Sequence, residues 1–224
     1  MLSISRTVQK IIYVAVTASG KHSRLTVRRT TGHVENCTIH PMDCRFGDRQ
    51  RSHHCQNLQS GCLKSAPVTA ALAEAHLVLG KVGFDTKWLH CLPNAAVETG
   101  PCAQSGLSTF SIGIRKDDLS EKVTHFTLGF AMLNTARANT ACAIYSRITE
   151  LVEQNPGSAS VETVLGYVIA HELAHLIQRS NLHSTGVMSE RWTVSLLRAM
   201  SQRGLRFTTS QTRDLWKAME ARQN

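Results

Sequence analysis

The chain has 224 residues, 42% of them hydrophobic, which is enough for the core of one modest domain with an appendage. Its net charge of +9 raises nucleic acid or a membrane surface as a partner, but the excess is spread out and aromatics are only 5%, so no stacking platform or recognition module forms. No run reaches the roughly 18–20 apolar residues of a membrane-crossing helix, and neither a transmembrane segment nor a nucleic-acid partner is expected.

In chain order, Arg6 and Lys10 precede the short apolar run Ile11 to Ala18. With a small residue at its end, the run reads as a signal peptide, residues 1–18, cut near Ala18. The other reading is a β-strand of β-branched residues. Seven cysteines suit an oxidising compartment, which favours a secreted or periplasmic protein over a cytoplasmic one. Residues 1–65 form a basic, Cys/His-rich N-terminal segment. In it Cys37, Cys44, Cys55 and Cys62 are separated by six, ten and six residues, among His33, His40, His53 and His54. Those spacings lack the short knuckle of a structural zinc site, so two disulfides or disorder fit better than a second metal.

Residues 66–224 form the second unit. The pattern predicts a helix over 67–81, strands over 84–90, 108–115 and 126–132, and a strand or helix over 141–153. After the break Asn155-Pro156-Gly157-Ser158 it predicts helices over 160–178, 190–202 and 209–221. That order is α+β, with helices packed on a small mixed sheet. Cys91 and Cys102 bracket a Pro/Gly-containing loop that a disulfide would pin. Cys142 has no evident mate and reads as a small buried thiol.

The predicted helix over 160–178 carries His171-Glu172-Leu173-Ala174-His175. Residues four apart stack on one helix face, so both imidazoles reach one ion while Glu172 points beside it. A zinc ion held there would lower the pKa of a water, and Glu172 would be that water's base. The bland alternative is a buried helix with satisfied core histidines. Val168, Ile169, Leu173, Leu176 and Ile177 bury this stretch, however, and three ionisable groups so buried need a partner, which a metal supplies.

A third ligand must come from downstream. In the strict metzincin spacing it would fall on Asn181, with glycine at Gln178, and that pattern is absent. His183 lies two residues further on, past Arg179-Ser180-Asn181, where Asn181 suits a left-handed helix end. His183 is therefore the expected third ligand. Thr185-Gly186-Val187-Met188 looks like a Met-turn, with Met188 as an apolar floor. Glu190, at the start of the next predicted helix, is the competing third ligand in a gluzincin scheme, although a first-turn carboxylate also serves the helix dipole.

From Leu165 through Met188 to Arg191-Trp192 the chain resembles a bacterial family of uncharacterised zinc metalloproteases, metzincin-like, with the pattern L-G-x-V-x-A-H-E-x-G-H-L-L-L-G-x-N-x-H-S-x-x-G-x-M-x-x-x-W. The likeness extends more loosely over residues 66 to 216. It implies His171, His175 and His183 as zinc ligands, Glu172 as the base, a small metzincin-like fold, and the Cys91–Cys102 pair. Ala174 replaces a glycine harmlessly in a helix. Arg179 replaces the glycine best suited to the bend that aims His183. The expected activity is that of a zinc-dependent endopeptidase whose peptide or protein substrate lies extended along Leu128 to Met132. The second reading is a non-catalytic zinc protein that binds a peptide or protein partner.

Overall fold

The computed structural model describes residues 10–18, 65–91, 108–116, 127–133 and 139–223, all within one compact unit. The elements are β1 (Lys10–Ala18), α1 (Ser65–Gly80), β2 (Phe84–Cys91), β3 (Thr109–Arg115), β4 (Gly129–Met132), β5 (Thr140–Ile144), α2 (Tyr145–Glu153), α3 (Val161–Gln178), a 3₁₀ turn (Gly186–Met188), α4 (Val194–Ser201) and α5 (Thr209–Gln223). The architecture is α+β around a mixed five-stranded sheet in the order β2-β1-β3-β5-β4. β1 runs antiparallel to both β2 and β3, β3 runs parallel to β5, and β4 closes one edge antiparallel to β5.

One face of the sheet builds the core. Along β3 burial alternates, with Phe110, Ile112 and Ile114 inward, as the period of two in a strand requires. Val14 stands opposite both Trp88 and Phe110 and carries the same inward face across β1. Against this face lies α3, which is apolar all round: every residue from Val164 to Ile177 is buried. It packs on α1, α2, α4, α5 and strands β3 to β5. Its start is fixed by Ser160, whose Oγ accepts from the Thr163 amide at 3.2 Å, with Glu162 favourable in the first turn.

The end of α3 is a Schellman turn. Ser180 N donates to His175 O at 3.2 Å and Arg179 N to Leu176 O at 3.4 Å, while Arg179 is left-handed at φ 50. Arg222 of α5, itself buried, donates to the last-turn carbonyls of Leu176 and Ile177. Its guanidinium also sits over the Phe110 ring, 5.0 Å from the centroid. A left-handed non-glycine costs roughly 1–2 kcal/mol. Arg179→Gly is therefore expected to raise stability by about 0.5–1 kcal/mol, after the greater freedom of glycine in the unfolded chain is subtracted. A denaturant midpoint that falls would contradict the strain argument.

Several expectations need correction. Ile11 to Ala18, for which a signal peptide and a β-strand were the two readings, lies in strand β1 and pairs on both sides in the sheet. A boundary at residue 65 therefore separates β1 from the unit to which it belongs, because its hydrogen-bond partners lie in β2 and β3, far along the chain. The segment 141–153 is both alternatives in turn, a strand to Ile144 and then a helix. The strand expected over 126–132 begins only at Gly129, and the helix expected from residue 190 begins at Val194. The left-handed residue at the helix end is Arg179 and not Asn181. Cys37, Cys44, Cys55, Cys62 and the Cys91–Cys102 pairing lie outside the described residues.

Cys142 is a free thiol on β5, 5% exposed, and burial pushes it up to about 12. Since the thiolate is the reactive form, native protein treated with iodoacetamide at mildly alkaline pH should leave Cys142 unmodified. Peptide mass mapping should find it alkylated only after unfolding, and modification in the native state would contradict its burial.

Candidate metal centre

α3 delivers His171 and His175 one turn apart on the same side, and the chain beyond the Schellman turn brings back His183. One ligand atom from each of the three lies within 4.8 Å of the others. The rings of His171 and His175 meet edge to face at 4.6 Å between centroids, as do those of His175 and His183 at 4.8 Å. His171 and His175 are buried, whereas His183 is exposed at the cleft rim. No other group of three or more metal-ligating side chains occurs among the described residues.

Tautomers are set by backbone. His171 Nδ1 donates to Val187 O at 2.8 Å, and His175 Nδ1 donates to Ser180 O at 2.6 Å. In a neutral ring the other nitrogen then carries only a lone pair. Yet the two Nε2 atoms face one another at 2.9 Å, and His175 Nε2 lies 3.2 Å from His183 Nε2. Two acceptors cannot satisfy each other. Protonation is disfavoured, since burial holds His171 down to about 3 and lowers His175 as well. A cation among the three nitrogens resolves the conflict, and imidazole is a suitable donor for one. The cluster could therefore hold a metal ion, and the carbonyls of Val187 and Ser180 would orient two of its ligands.

Glu172 does not belong to the ligand cluster. It is 4% exposed, its Oε2 has no hydrogen-bond partner, and desolvation pushes its carboxyl up to about 8. Edge strand β4 passes close above it. A Cβ at Gly129 would come within 2.8 Å of Glu172 Oε1 and 2.9 Å of both Cys142 O and Val168 Cγ1. Only glycine admits that approach.

These groups open into a cleft of ≈ 1110 Å³, bounded by β4, by Leu151 and Gln154 at the end of α2, and by Trp192. The Trp192 ring stands edge-on to His171 at 5.9 Å. Glu190, the competing ligand, lines the same cleft but is exposed, lies in a bend and takes no part in the three-residue cluster. Met188 is buried in the core, and the hydrogen bond that joins this turn to the cluster is the one His171 Nδ1 donates to Val187 O.

Sequence reasoning found the three histidines and Glu172. It passed over Gly129, the carbonyls of Ser180 and Val187, and Gln211. Of these Gln211 left a legible signal, because Thr208-Thr209-Ser210-Gln211 is a capping-box pattern. The arrangement defines a three-histidine cluster that could hold a metal ion, with an adjacent carboxyl group outside the cluster, set on a buried helix below the edge of a mixed sheet. Comparisons with protein-family models, with curated proteins and with solved structures find no match to this chain.

Proposed function

We propose that the chain is a zinc-dependent metallopeptidase of metzincin-like build, with His171, His175 and His183 as ligands and Glu172 as general base. The observation that carries this reading is the convergence of three ring nitrogens, His175 Nε2 lying 2.9 Å from His171 Nε2 and 3.2 Å from His183 Nε2, beside a buried carboxyl group outside the cluster. Three imidazoles suit zinc, whereas magnesium and calcium take oxygen donors. A catalytic site of three protein ligands also leaves a position open, which a closed structural site does not.

A bound zinc ion supplies Lewis acidity and brings the pKa of a water toward neutrality. The residues of the chain supply the rest. Glu172, raised by desolvation, returns to the carboxylate when a cation shares its pocket. Its partnerless Oε2 is then free to accept a proton from water and later to pass it to the leaving amine. Among the described residues β4 is an edge strand that pairs only with β5, so an extended peptide can add to its other side through main-chain hydrogen bonds. Phe130 and Trp192 line the cleft with apolar surface for the flanking side chains.

The test is metal analysis of purified protein together with hydrolysis of a generic protein substrate. One zinc per chain is expected, with cleavage abolished by a chelator and restored by zinc. Absence of bound zinc would overturn the metal centre. Zinc retained without cleavage under any condition would instead support a non-catalytic zinc protein that binds a peptide or protein partner.

A further inference from the structure

His183 is carried by an irregular segment in which Leu182 N donates to Ser180 Oγ at 3.2 Å and Ser184 N to Met188 O at 2.9 Å. Residues 180 to 185 form no helix or strand, and Asn181 to Thr185 are exposed. Two of the three histidines are fixed by a buried helix and by backbone acceptors, so the precision of the cluster depends on whatever holds the third. The side-chain anchor comes from α5. Gln211 is 7% exposed, and its Nε2 donates to Ser184 Oγ at 2.6 Å and to Thr185 O at 2.8 Å. Its Oε1 accepts from the Thr208 amide at 2.7 Å, and the Gln211 amide donates back to Thr208 Oγ1 at 3.2 Å. The backbone groups on either side fix the orientation of the carboxamide, because the Thr185 carbonyl demands a donor and the Thr208 amide an acceptor.

We propose that Gln211 is the positioning residue for His183: one carboxamide closes the N-terminus of α5 and holds the two residues that follow the third ligand. The proposal rests on the metal-centre reading above. The two tasks separate chemically. A glutamate at this position retains the acceptor and is the usual partner in a capping box. It loses both donors and turns a carboxylate oxygen toward the Thr185 carbonyl, leaving buried acceptors facing each other. Thr208→Ala does the opposite, since it removes the cap hydroxyl but leaves the Thr208 amide and both donors of Gln211 intact.

The experiment compares wild type, Q211E and T208A in two ways. In competition with a chelating indicator, zinc alone should bind Q211E about tenfold more weakly than wild type, the lower range for loss of a group supporting a metal ligand. T208A should stay within about twofold, a difference too small to mark lost support of a ligand. In the metal-free proteins, amide hydrogen exchange over residues 180–188 should speed up in Q211E and not in T208A. Equal zinc affinity for Q211E and wild type, or an equal loss in T208A, would overturn the positioning role. A wild type that binds no zinc while the exchange difference persists would sink the metal-centre reading and leave the anchoring of this segment standing.

Discussion

Glu172→Gln is expected to keep one zinc per chain and to lower the rate of peptide hydrolysis by about a thousandfold, the middle of the range for loss of a general base. The substitution is close to isosteric, so the fit beneath Gly129 is retained. It removes the group that accepts the proton without touching the three ring nitrogens. It also replaces a desolvated carboxyl with a neutral amide, which predicts equal or greater thermal stability in the metal-free protein. Activity within tenfold of wild type would assign the base elsewhere. Loss of zinc together with activity would place Glu172 among the ligands.

Gly186→Ala is expected to produce the larger structural effect. Gly186 has φ 66, and a Cβ there would fall on the carbonyl oxygen of Arg206. The left-handed conformation and the steric overlap together cost about 3 kcal/mol or more. In a chain of this size that corresponds to a fall of roughly 6–12 °C in unfolding midpoint. The turn cannot simply move aside, because Val187 N donates to the same Arg206 carbonyl at 3.3 Å and Val187 O receives the His171 proton. Zinc affinity should therefore fall with stability. A midpoint within about 2 °C of wild type would show that the turn relaxes without cost.

The helices were legible in the sequence because their signals are local. The break at Asn155 to Ser158 and the Ser160 cap announce α3, and its apolar flanks announce its burial. The pair His171 and His175 was legible for the same reason, since a spacing of four on a helix is itself a statement of geometry. The parts not legible depend on contacts made far along the chain. β1 carries no local mark that separates it from an export signal, and its place in the sheet depends on pairing with β2 and β3. At residues 141–153 a strand and a helix follow one another at Ile144 and Tyr145 with no glycine or proline between them. Arg222 and Gln211 are polar residues of α5 that both turn inward, one to cap α3 and the other to hold the segment after His183, and only the capping role of Gln211 has a local mark.

The position of β1 also bears on how the domain assembles. It precedes every other described element in order of synthesis, yet Ala18 must find Phe84 and Lys10 must find Ile114 before it is paired on both sides. Loop closure over such separations is entropically costly and slows the search for native contacts. Among the described residues β2 reaches the rest of the sheet only through β1, so the sheet stays in two pieces until β1 inserts between them. Refolding should thus be paced by a late insertion step, with two strand edges left open to intermolecular pairing in the interval.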